Sequence, residues 1–310
     1  FHYIKPERQM KMKFRSGKRF PNNIHQIWIG SKDPPIAKIN SCRSLHPDWN
    51  VILWTDDKLK SLKYDSKYQA PGSFSTKMFA HNGDILKQVD VLKLELLYKY
   101  GGIAMDADQI CLRRLDTLLD IGLDYDYAAV HEHGHEHAGW VKNLIANGVQ
   151  MSHQYSPTIF NVLTHISALR SGAAWTRTGP CLVSQDIAYY GSRNVQKLQQ
   201  VVKKCGGHVY KKQFEVCPQT EAIPIKLLPS DVFFPYHHSE KQKMKACEND
   251  ITDSFTVQHW SSTSGGYSKS KEKLSDYWLL DERNAVFSGN WNKRVCLGNG
   301  VESHHTPGDS

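Results

Sequence analysis

The chain has 310 residues, is 40% hydrophobic and carries a formal net charge of +8, so it can bury the core of one large domain or two small ones. It contains no run of eighteen apolar residues, which excludes a membrane-spanning helix within it, and no C-x-x-C pair among its seven cysteines, which excludes the common zinc spacings. The basic excess is uneven: residues 1–20 hold Lys5, Arg8, Lys11, Lys13, Arg15, Lys18 and Arg19 against Glu7 alone.

That stretch reads as a basic stem or linker. A polybasic arm for nucleic acid is set aside, because no recognition helix or RNA-binding signature accompanies it. The chain starts at Phe1 without a signal-peptide core, so it is expected to be part of a longer protein. Membrane association is expected only through a segment not present in this sequence. An odd cysteine count leaves at least one free thiol, and Cys205, Cys217 and Cys247 lie in a loop-rich region suited to a disulfide in an oxidising compartment. There is no Asn-x-Ser/Thr sequon. That absence counts against a eukaryotic secretory location, so these features leave the compartment undecided between the Golgi lumen, for a eukaryotic source, and the cytoplasm.

In chain order, the first predicted element is a strand from Asn23 to Ile29, stopped by Gly30 and the turn Asp33-Pro34-Pro35. A helix follows from about Ile36 to just before His46-Pro47, and Val51–Trp54 reads as a second buried strand. Strand, helix and strand at this spacing predict a parallel pair with a crossover. The clearest helix runs from an N-cap at Asp84 to Tyr100, with Ile85, Val89, Leu92, Leu96 and Tyr100 on one stripe and Asp90, Lys93, Leu94 and Leu97 on another. Gly101-Gly102 stops it, and a strand over Ile103–Met105 follows directly. A further strand is read at Tyr127–Val130, helices at 157–171 and 195–204, and short strands and loops from Gly206 to Trp260. The tail after Gly298 is expected to be poorly ordered.

Four segments bear chemistry. Asp106 and Asp108 end the strand after the double glycine; alternation along an extended chain predicts that both point to one side, as a pair of hard oxygen ligands for Mn²⁺ or Mg²⁺. Ile27, Trp28 and Ile29 close the first strand, where an indole is placed to stack on a base. Asp90 and Lys93 stand one helical turn apart and so face the acidic pair together. Thr178-Gly179-Pro180 makes a tight turn before an apolar helix, and Val257-Gln258-His259-Trp260 offers a late imidazole to a metal shell. The tract His131-Glu132-His133-Gly134-His135-Glu136-His137 reads as an acceptor-side or exposed loop, with transition-metal binding as its alternative.

Taken in order, "P-x-x-IHQIWIG", "HPDWNVILWTDD", "D-x-x-K-x-x-x-LYKYGGIAMDAD" and "TGP" resemble glycosyltransferase family 32 over roughly residues 21–263. That group includes fungal α-1,6-mannosyltransferases, inositol-phosphorylceramide mannosyltransferases and animal α-1,4-galactosyltransferases, and the clostridial glucosylating toxins are more distantly similar. The resemblance implies an α/β fold of GT-A type, with a mixed, mostly parallel central sheet flanked by helices. It implies a stem at 1–20, a catalytic domain at 21–287 and a tail at 288–310.

By the same resemblance Ile27, Trp28 and Ile29 pack on the nucleotide base, Asp90 contacts the donor's ribose or sugar, and Asp106, Asp108 and His259 hold Mn²⁺, with Mg²⁺ as the alternative, on the diphosphate. Lys93 stands where the family usually has Arg, and Ser261–Gly266 fills the place of a second tryptophan. The expected activity is metal-dependent, retaining transfer of a hexose from a UDP- or GDP-sugar to a hydroxyl of a glycan or glycolipid. Asp106, Asp108, Lys93 and Asp186 are its catalytic candidates, and Asn147 is a secondary one beside Asp186. The alternative is a non-catalytic nucleotide-sugar or glycan-binding relative.

Overall fold

The computed structural model of the chain describes residues 17–62, 84–132, 144–168, 174–190, 223–237, 240 and 253–258. Its centre is a sheet built from β1 (Asn23–Ile27), β2 (Asn50–Trp54), β3 (Gly102–Asp106), β5 (Tyr127–His131), β6 (Ile145–Ser152) and β7 (Ile225–Leu228), in the order β2-β1-β3-β6-β5-β7. β1 pairs in parallel with both β2 and β3, and β5 with β7; β6 alone runs antiparallel to its neighbours. The sheet is thus mixed and mostly parallel, with helices on both faces. Two short strands, β4 (Gln109–Cys111) and β8 (Thr256–Gln258), form a separate antiparallel pair.

Period-two alternation divides the core. Ile103 and Met105 of β3, with Ala128 and Val130 of β5, face one apolar cluster that also holds Phe20, Phe233 and Phe234. Ala104, Tyr127 and Ala129 face the other, against α3 (Ile85–Tyr100), α5 (Pro157–Ala168) and α7 (Pro180–Tyr190), counting α1 (Ile36–Leu45), α2 (Asp56–Leu62), α4 (Asp116–Leu119) and α6 (Ala174–Arg177) in chain order. α3 is buried on both of its predicted stripes: Leu92 and Leu96 pack with Ile27, Ile29 and Trp54, while Leu94 and Leu97 enter the cluster under β3 and β5.

The ends of α3 follow the predicted signals. The Asp84 carboxylate accepts a hydrogen bond from the Lys87 N–H at 3.3 Å, and the Gly101 N–H closes the helix on the Leu97 carbonyl at 2.8 Å. Gly101 and Gly102 have φ of 63° and 101°, and a Cβ on Gly102 would sit 2.5 Å from the Asn23 carbonyl. The double glycine therefore lets helix turn directly into strand against β1, which fixes the spacing between the functional residues of α3 and those of β3.

Three expectations change. β6 and β4 were not read from the sequence; the Asn147-Gly148 step interrupts β6, and β4 is three residues long. Asp108 does not lie on an extended strand end, since β3 stops at Asp106 and Ala107-Asp108 form the turn into β4. A disulfide joins Cys42 of α1 to Cys111 of β4 across 69 residues, and Cys181 is disulfide-bonded too. Cys205, Cys217 and Cys247, the helix at 195–204 and most of the His131–His137 tract lie outside the described residues.

His25, from the first motif, is a core residue. Trp54 Nε1 donates to its Nδ1 at 3.1 Å, so its Nε2–H donates to the Gly101 carbonyl at 3.0 Å, and the ring is fully buried. Burial lowers its pKa from 6.5 to about 4, against a smaller opposing effect of the Gly101 hydrogen bond. Below pH 6.5 the unfolded chain takes up a proton that folded His25 refuses. Stability is expected to fall as pH drops from about 6.5 to about 4, by up to about 1.4 kcal/mol per pH unit from this residue. Urea unfolding at stepped pH should show that slope in the native chain and a shallower one in His25→Gln; equal slopes would contradict the assignment.

Candidate active site

The site lies at the carboxyl edge of the sheet. The parallel register sets Ile27 beside Asp106, so Trp28 is the first residue past the edge of β1 where Asp106 ends β3. Crevices outside the carboxyl ends of strands are where open α/β sheets bind ligands. Trp28 is half-buried; its backbone N–H bonds the Trp54 carbonyl at 2.9 Å and its Nε1 donates to the Lys32 carbonyl at 2.7 Å. Ile27 and Ile29, on either side, are buried in the core.

Asp106 shares the face of β3 that looks toward α3, because it lies two residues beyond Ala104. Lys93, on α3, therefore reaches it: the ammonium pairs with Asp106 Oδ1 and donates to the Asn147 carbonyl at 2.9 Å. Lys93 is 3% exposed against 28% for the Asp106 side chain, so the cation is inside and the carboxylate meets the crevice. Asp106 Oδ2 accepts from Gln258 Nε2 of β8 at 2.9 Å. Asp108, in the turn, is buried.

A bulge in β6 supplies the rest. Between paired positions β5 advances two residues, Ala129 to His131, while β6 covers five, Gln150 to Ile145, so three extra residues are accommodated around Asn147-Gly148. The bulge turns Asn147 and Gln150 to the same side, although they are three residues apart. A chain of hydrogen bonds results: Tyr127 OH donates to Gln150 Oε1 at 2.8 Å, Gln150 Nε2 to Asn147 Oδ1, and Asn147 Nδ2 to Asp90 Oδ1. Thr178 Oγ1 donates to Asp90 Oδ2 at 2.9 Å, bringing the Thr-Gly-Pro turn onto the same carboxylate.

Asp90 is pushed up to about 7, chiefly by desolvation and also by the charge of Asp106; Lys93, Thr178 and Asn147 oppose the shift. One helical turn of α3 thus holds a carboxyl near neutrality and the ammonium that moderates it. Asn147, a secondary candidate beside Asp186, donates to Asp90 through its side chain and accepts from Lys93 through its carbonyl. Asp186 is buried in α7. His259 lies outside the described residues. Gln258 and Gly148 escaped sequence reasoning; the one available signal was that Gln258 precedes the late histidine.

The donor set suits a hard divalent cation. Among the described residues each oxygen of Asp106 takes one hydrogen bond and so keeps a lone pair, and Asp108 lies two residues on, buried in the turn. Among the described residues no group of three or more His, Cys, Asp or Glu side chains is gathered as a metal cluster.

Sheet order, the antiparallel β6 within it and the acidic turn at the carboxyl edge give an α/β domain with a mixed, mostly parallel sheet, the architecture expected of a GT-A fold. Residues 35–123 match the family described as "Glycosyltransferase sugar-binding region containing DXD motif". It is 31% identical over 165 residues to inositol phosphoceramide mannosyltransferase 1 of Schizosaccharomyces pombe, covering 46% of this chain and 48% of that protein. It is 33% identical over 103 residues to a mannosyl phosphorylinositol ceramide synthase of Saccharomyces cerevisiae, covering 33% and 26%. The chain thus spans less than half the length of the curated relatives it matches. Among solved structures, the PaToxG glycosyltransferase aligns with a TM-score of 0.43 and 18% identity, over 64% of this chain and 77% of that one.

Removing the buried cation should be felt by Asp90. In Lys93→Met the Asp90 carboxyl is expected to titrate above its present value of about 7, because the lysine's charge is what holds it down. Loss of charge-assisted hydrogen bonds should also lower stability by about 2–3 kcal/mol. Carboxyl-carbon NMR titration and urea unfolding measure the two effects. An Asp90 titration that stays put or moves to lower pH would show that Lys93 does not act on it.

Proposed function

We propose that this chain is a retaining hexosyltransferase that moves a sugar from a UDP- or GDP-sugar to a hydroxyl of a glycan or glycolipid. The observation that carries the reading is the convergence of Lys93, Asp90 and Asp106 at the carboxyl edge, one residue from the half-buried indole of Trp28. The names of the relatives favour mannose as the hexose and an inositol phosphoceramide as the acceptor.

In this reading Trp28 offers its face to the base, with Ile27 and Ile29 anchoring it. Asp90, fixed by Asn147 and Thr178, accepts hydroxyls of the donor's ribose or sugar. Asp106, Asp108 and His259 would hold Mn²⁺, or Mg²⁺ as the alternative, which supplies charge neutralisation for the diphosphate leaving group. Lys93 keeps the Asp106 carboxylate in place and adds positive potential from below. Retention with front-face attack asks the protein for positioning more than for a strong base, and Asp186, on the helix that begins after Thr178, is the carboxylate assigned to the acceptor side. The buried Cys42–Cys111 disulfide suits an oxidising compartment such as the Golgi lumen. Among the described residues no helix is long and apolar enough to cross a membrane.

A thermal-shift panel of UDP- and GDP-sugars with Mn²⁺ tests the donor, because a ligand bound only by the folded state raises the melting temperature by mass action. Asp106→Asn and Asp108→Asn should abolish transfer and the metal-dependent shift while each protein stays folded. Chelation should stop the native enzyme, and Mn²⁺ should restore it. Undiminished turnover in both variants would overturn the assignment; binding without any turnover in the native chain would favour the non-catalytic alternative.

A further inference from the structure

Both oxygens of Asp106 are held from different parts of the chain. Lys93, on α3, takes Oδ1, and Gln258, 152 residues away on β8, donates to Oδ2 at 2.9 Å. A carboxylate rotates about its Cβ–Cγ bond, so a single donor leaves its plane loose; two donors on opposite oxygens set the plane and direct the remaining lone pairs.

Gln258 is itself held. It is 4% exposed, lies opposite Gln109 in the β4–β8 register, and accepts from Gln109 Nε2 at 3.4 Å through its Oε1. Because Asp106 only accepts, it dictates which end of the Gln258 amide faces it, and Gln258 in turn dictates the orientation of Gln109. Gly148 leaves room for the arrangement: a Cβ there would stand 3.0 Å from Gln258 Oε1 and 3.1 Å from Asp106 Oδ2. The pairing also ties the turn containing Asp108 to β8, since Gln109 immediately follows that turn.

We propose that Gln258 is a positioning residue for the metal–diphosphate site: with Gln109 behind it, it fixes the Asp106 carboxylate, and so sets how well Mn²⁺ supports nucleotide binding. The inference rests on the donor-binding reading above. It is separate from any ligand role of His259, because it acts through the hydrogen bond to Asp106.

The test compares Gln258→Leu with the native chain by calorimetric and thermal-shift titration of GDP and UDP, each with and without Mn²⁺. Loss of one hydrogen bond to a charged group should weaken Mn²⁺-supported binding about 10- to 100-fold, with Mn²⁺-free binding unchanged. Equal weakening in both conditions would mean general structural damage, and no weakening would mean that Asp106 holds its place without Gln258; either result overturns the proposal. Should Gln258→Leu fail to fold, Gln109→Leu carries the same comparison and should show a smaller loss confined to the Mn²⁺ condition. If the native chain shows no Mn²⁺-supported binding of either nucleotide, the donor-binding reading fails first and the proposal with it, a pattern distinct from failure in the variant alone.

Discussion

A lysine buried beneath a half-exposed aspartate is the constraint on which the functional edge of this molecule depends. An ammonium excluded from water must be matched by acceptors, and here they are the Asp106 carboxylate and the Asn147 carbonyl. Satisfying Lys93 therefore forces three separate elements, α3, β3 and β6, into one arrangement. The double glycine makes the first two meet at the right distance, because no longer connection intervenes between the end of α3 and the start of β3. The β6 bulge brings in the third.

Burial sets Asp90 apart from Asp106, and the same lysine acts on both. Asp90 is screened from solvent and driven toward protonation, while Asp106 meets the crevice and shares an ion pair. Lys93 lies between them in sequence and lowers the cost of keeping the second charged beside the first.

Much of this was legible in the sequence, and what was hidden has physical reasons. α3, its cap at Asp84 and its glycine stop were readable because periodicity and capping are local signals. Strand β1 and its parallel partner β2 were readable as apolar runs flanked by turn chemistry. β6 was not, because Asn147-Gly148 sits inside it and reads as a turn; that irregularity is what lets Asn147 and Gln150 share a side. Asp108 looked like a strand residue until β4 proved to begin one residue later. Asn147 was noticed, but its hydrogen bond to Asp90 was not, since it spans 57 residues. The Cys42–Cys111 bridge and the Gln258–Asp106 bond span longer distances still, and no local pattern encodes a contact of that kind.

The position of β8 in the chain has a consequence for the order of events in biosynthesis. Every other described partner of Asp90, Lys93 and Asp106 has been translated once Thr178 has left the ribosome. Gln258 comes eighty residues later, so a nascent chain can complete α3, β3 and the bulge of β6 while one oxygen of Asp106 still lacks this donor. Among the described strands β8 comes last in the chain, and it brings the second donor to the central carboxylate of an edge otherwise built from residues 90–178.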